Sequence, residues 1–185
     1  MKASLFTLAL VSLAGMLAAA ETNLYLNPKF EKNKGKNLTI ACHWHQGKLS
    51  IDGDYKGAPA VKLESVKTKW GYEVVFSLDL DSRGKFQPGK YTFSVWCKID
   101  RKPPLIYVYH TNFPAGQNKS VREARKDYKG KDLPAAGEWK QLVLDFEVKP
   151  DATRNRISYA LYSREADGSM PVWFADPKIV PAEKK

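Results

Sequence analysis

The stretch KYTFSVWCKI, residues 90–99, alternates without a break. Tyr91, Phe93, Val95 and Cys97 fall on one parity, and Thr92, Ser94, Trp96 and Lys98 on the other. A period of two is that of a β-strand with one face in a core. The first set is the expected core face and the second the outward face. The same period extends in both directions. Strands are expected near 24–30, 38–45, 48–51, 60–66, 72–80, 105–113, 139–148, 157–164 and 171–180. Turn-rich stretches separate several of them: DGDYKGAP, SRGKFQPG, RKPP, KPDATRN and EADGS. The segment SVREARKDYK, 120–129, is polar and opens on Ser120 with Glu123 three residues later, a capping-box pattern. It is read as a short surface helix. So many strands in one chain of ordinary domain size bury their apolar faces most economically as two packed sheets. The expected fold is an all-β, two-sheet antiparallel β-sandwich of jelly-roll type with one short helix.

The chain has 185 residues and a formal charge of +10. Residues 1–20 read as a cleavable signal peptide: Lys2, an uncharged apolar run, and Ala18-x-Ala20 before Glu21. The run is short for a membrane span, and no second long apolar run follows. Residues 21–185 are expected to form one domain, secreted or periplasmic. The positive balance favours anionic partners, and export makes nucleic acid the least expected of them. Acids are interspersed with the bases, so no continuous basic arm stands out. Cys42 and Cys97 lack metal-ribbon or redox spacing. They are either one disulfide or two separate buried thiols.

Five segments resemble the galactose-binding-like jelly rolls, particularly carbohydrate-binding modules of families four, nine and twenty-two. They are NLYLNPKFE, YKGAPAVKLES, QPGKYTFSVWCKI, GEWKQLVLDFEV and VWFADPKI. Their order and spacing span nearly all of 21–185. The resemblance implies a non-catalytic module that binds polysaccharide or a cell-surface glycan. It also implies a core role for Trp139 and a structural calcium at the termini held by Glu31 and Asp176. Oxygen ligands suit that hard cation. The chain departs from the family pattern in Asp-Pro-Lys at 176–178, in HWHQGKLSID, and in a longer, more basic 114–137 loop.

Sugars are held by flat aromatics against C–H faces and by polar groups at hydroxyl edges. The outward set Ser94, Trp96 and Lys98, placed beside Tyr107 and Tyr109 of the next strand, supplies both. Trp44, Trp70 and Trp173 are further candidates. Lys98, Arg122 and Arg125 suit carboxylates or sulfates of an acidic glycan. Four alternatives stay open. A covered face would make Trp96 structural. His43 and His45 share a strand parity and would need a third ligand, His110, to hold copper or zinc. Tyr109, His110, Asn112, Gln117 and Arg122 would be the groups of a small polysaccharide lyase if they converged. An exported interaction module needs no sugar at all.

Overall fold

A computed structural model describes residues 23–24, 29–30, 44–68, 71–80, 86–101, 103, 105–117, 120–163 and 170–182. The expected signal peptide, Glu31, Cys42, His43 and Trp70 lie outside the described residues. The described chain is built from strands: β1 (Trp44–Gln46), β2 (Lys48–Tyr55), β3 (Ala58–Glu64), β4 (Val66–Thr68), β5 (Gly71–Asp79), β6 (Gly89–Ile99), β7 (Leu105–Pro114), β8 (Val121–Tyr128), β9 (Trp139–Val148), β10 (Ala152–Ser163) and β11 (Pro171–Pro181). One sheet runs β1-β5-β10-β7-β8, with β4 also paired to β5. The other runs β2-β3-β11-β6-β9. All the ladders are antiparallel. This is the expected sandwich.

Its centre is aromatic. Tyr159, on β10 of the six-stranded sheet, has no solvent exposure. Its ring lies 5.1 Å from Phe76 of its own sheet and 5.9 Å and 4.6 Å from Phe93 and Phe174 of the other. Tyr91, Phe93, Val95 and Cys97 face this core, as their parity predicts. Cys97 is a buried free thiol, and burial pushes its pKa upward.

Local chemistry sets the connections. β2 and β3 meet at Lys56–Gly57, both with positive φ (52° and 82°). That is the geometry of a two-residue hairpin turn whose twist matches the strands. The strands therefore run closer together than the broad DGDYKGAP turn suggested. Asn23 docks on β11. Its side-chain nitrogen donates to the Pro177 carbonyl, and its oxygen accepts from the Ile179 N–H, both at 3.0 Å.

The segment 120–129 is strand β8, not a helix. β7 would otherwise present a row of free backbone groups at the sheet edge, and β8 satisfies them from Ile106 to Asn112. A polar segment of this length has little helical stability of its own to set against that pairing. Tyr128 completes the closure. Its hydroxyl donates to the Val143 carbonyl at 2.7 Å and accepts from the Val143 N–H at 2.6 Å. The edge of one sheet is thereby fastened to β9 of the other.

His110 points into the core, 4.5 Å from the Phe146 ring, with Nε2 3.0 Å from Asn155 Oδ1. It is therefore no third ligand for a strand-mounted histidine pair. Burial lowers its pKa to about 4, against 6.5 for the free side chain, with the Asn155 contact opposing the shift. The unfolded chain binds the extra proton between those values, so stability is full above about 6.5 and falls as pH drops toward about 4. The expected loss is at most about 3 kcal/mol. Urea midpoints measured across this window should shift downward on acidification, and His110→Gln should flatten the slope. An unchanged slope in that variant would assign the acid sensitivity elsewhere.

Candidate functional site

The sequence candidates separate onto opposite sides of the sandwich. Ser94, Trp96 and Lys98 lie on β6 of the five-stranded sheet, while Tyr107 and Tyr109 lie on β7 of the six-stranded sheet. The expectation that they share a face is corrected by topology. β6 sits between β11 and β9, and β7 between β10 and β8. The chain crosses from one sheet to the other between them. Each strand keeps its own core parity, so the two outward sets point in opposite directions.

On the five-stranded sheet, Trp96 stacks on Tyr55 with ring centroids 4.4 Å apart, and Trp139 lies 5.2 Å from the same tyrosine. Ala60, Ala175 and Trp173 are buried beneath. Lys98 holds its ammonium 4.7 Å from the Trp173 ring centroid and 5.3 Å from that of Trp139, a cation–π arrangement. Lys62 lies 5.4 Å from Trp173 and is paired with Glu64 at 3.1 Å. Trp139 belongs to this outer cluster rather than to the central core. Trp96 is half-buried, with one ring face committed to Tyr55. Much of this face is thus a small second core capped by lysines.

On the six-stranded sheet, Val75, Ser77, Ser158 and Ala160 point away from the core yet are buried. The two serine hydroxyls share a hydrogen bond of 2.7 Å. On the neighbouring strand β7 stand Tyr107 and Tyr109, half-buried and stacked at 5.8 Å. The register runs Trp44–Ser77–Ser158–Tyr109–Arg125 across the sheet, and Gln46–Val75–Ala160–Tyr107–Asp127 beside it. The Arg122 guanidinium lies 4.7 Å from the Tyr109 centroid, and that of Arg125 4.3 Å from Tyr107. Arg125 also donates to Asp127 at 2.6 Å. The sequence reading named Tyr107, Tyr109, Arg122 and Arg125. It did not foresee the burial of the outward Ser158 and Ala160, which carry no signal until β5 and β7 flank them.

The lyase set does not converge. His110 and Asn112 are buried on the core side, while Tyr109 and Arg122 face outward. At the termini, Asp176 occupies a bulge in β11 with φ 48°, and its carboxylate is 2.8 Å from the Lys178 ammonium. A cation there would have to displace that lysine. Among the described residues no cluster of three or more His, Cys, Asp or Glu could hold a metal ion.

No sequence-family model matches the chain, and no curated protein matches it. Solved structures do. A carbohydrate-binding module of the β-sandwich superfamily superposes with a TM-score of 0.57 at 11% identity, over 74% of this chain and 53% of its own. This chain thus spans about half of that protein. A family-four carbohydrate-binding module gives 0.52 at 13% identity, over 84% and 98%. A putative sugar-binding protein from Bacteroides thetaiotaomicron gives 0.55 at 13%, over 87% and 100%. With two antiparallel sheets and these neighbours, the chain has the two-sheet β-sandwich fold seen in solved carbohydrate-binding modules.

Proposed function

We propose that this protein is an exported, non-catalytic polysaccharide-binding module whose contact surface is the outer face of the six-stranded sheet. One observation carries this reading: the half-buried, stacked Tyr107–Tyr109 pair on the outer side of β7. Partly exposed rings offer an apolar wall to sugar C–H faces. Trp44 holds the register position opposite Ser77 on the same sheet and joins the proposed contact residues. The likeness to carbohydrate-binding modules raises the expectation, although the fold hosts other functions.

Affinity electrophoresis through gels cast with neutral and acidic polysaccharides tests the site. Tyr107→Ala and Tyr109→Ala should each weaken retardation by roughly tenfold, the scale of one lost aromatic contact. Trp96→Ala should leave it unchanged. The reverse result would move the site to the five-stranded sheet, where Trp96, Lys98 and Ser94 stand. No retardation by any polysaccharide would favour an interaction module instead.

Export is part of the proposal. The N-terminus of protein recovered outside the cytoplasm should begin at Glu21; an intact Lys2 segment would count against cleavage. So is a structural calcium at Asp176, supported by the bulge at which the Asn23 segment docks. Calcium must compete with Lys178, so its effect should be modest: a higher melting temperature in calcium than in EDTA, by the mass action of a ligand on the native state. Identical melting curves would remove the ion from the account.

A further inference from the structure

The inner side of β7 carries polar residues where the strand pattern calls for apolar ones. His110 is fully buried and Asn112 is 1% exposed. They share one face of the strand, their Cα atoms roughly 7 Å apart at strand spacing. Asn155 of β10, 2% exposed, is the ladder partner of Asn112, and its side-chain oxygen lies 3.0 Å from His110 Nε2. Three polar side chains therefore adjoin inside the sandwich, where Phe146 of β9 packs 4.5 Å from the imidazole.

Their hydrogen bonding is incomplete within the protein. Nε2 donates to Asn155 Oδ1, so the neutral imidazole presents a lone pair at Nδ1. Nδ1 is buried and has no partner among the described residues. The same holds for the Asn112 amide, at its oxygen and at its nitrogen. Buried groups left so bear their full desolvation cost, and native proteins rarely leave that cost uncompensated. The packing beside the cluster is also irregular. The β8 ladder shifts between His110 and Thr111, and the β10 ladder between Ala152 and Arg154. Bulges of this kind bend a strand out of flat packing.

The free donors and acceptors define what fits among them. A cation would need a buried carboxylate beside it, and no Asp or Glu is buried among the described residues. An anion would face the lone pair of Nδ1. The molecule required is small and neutral. It donates to Nδ1, and it donates to or accepts from the Asn112 amide. Water meets each of these conditions.

We propose that His110 and Asn112 enclose one internal water molecule, which donates to His110 Nδ1 and is hydrogen-bonded to the Asn112 amide as a fixed part of the core. The inference is independent of the polysaccharide-binding reading, because this site lies on the inner side of β7 and Tyr107 and Tyr109 stand on the outer side. It gives two polar residues that do not converge with Tyr109 and Arg122 a structural reason to be where they are.

Solution and crystal measurements on the full chain test it. In isotope-labelled protein, the Asn112 side-chain amide protons should give cross-peaks to water of opposite sign in NOESY and ROESY spectra, the mark of a long-held water. A high-resolution crystal structure should place a water within about 3.2 Å of both His110 Nδ1 and the Asn112 amide. Asn112→Leu, a change of similar volume, should abolish that water and lower the urea midpoint, since Nδ1 then loses its donor. Direct protein hydrogen bonds to the Asn112 amide, with no water between, would overturn the inference. So would a raised urea midpoint in Asn112→Leu, which would mark the amide as an unhydrated burden. The two measurements on the unsubstituted chain decide the matter even if the variant fails to fold.

Discussion

The ring of Tyr159 meets Phe76 within its own sheet and Phe93 and Phe174 across the interface. Much else depends on this four-ring contact. It fixes which parity of β5, β6, β10 and β11 is inward, because a one-residue slip of any strand would turn its aromatic out of the cluster. Once the inward set is fixed, the outward set follows without further choice. Ser158 and Ala160 flank Tyr159 in sequence, so they are obliged to point to the outer side of the sheet. Candidate function and core are written on alternate residues of the same strands.

The same alternation, read one strand at a time, cannot say which outward faces adjoin. Residues 90–99 and 105–113 look like neighbours, being consecutive and joined by a short link. The structure sends them to different sheets, and their outward residues part company. Trp96 then finds Tyr55 and Trp139, a packed cluster of stabilising character. Tyr107 and Tyr109 find arginines of β8. The face that drew attention first, because it carries tryptophan, is the more thoroughly self-satisfied of the two.

Edge strands show how tertiary context overrides local signals. In 120–129 the spacing of Ser120 and Glu123 mimics a helix start, yet the free edge of β7 decides the outcome. Pairing also gives the segment's arginines their meaning. On a helix they would be a solvated charge pattern; on β8 they lie over the rings of β7. Tyr128, the apolar end of that segment, then bridges to Val143 and ties the two sheets at their edge. The buried His110 and Asn112 follow the same logic in reverse: residue types suited to catalysis are turned inward by strand parity.

By itself the sequence determined the fold class, the core parity of most strands and the sign of the charge. Each of these is a local property, readable from a period of two or from composition. It also singled out Tyr107, Tyr109, Arg122 and Arg125 as chemistry-bearing. Only the tertiary structure decided that Trp96 and the tyrosines occupy opposite faces, that 120–129 is a strand, and that Arg122 and Arg125 lie over Tyr109 and Tyr107. Those outcomes depend on strand order and register. Strand order is set by pairings between residues far apart in the chain, and no local pattern encodes them.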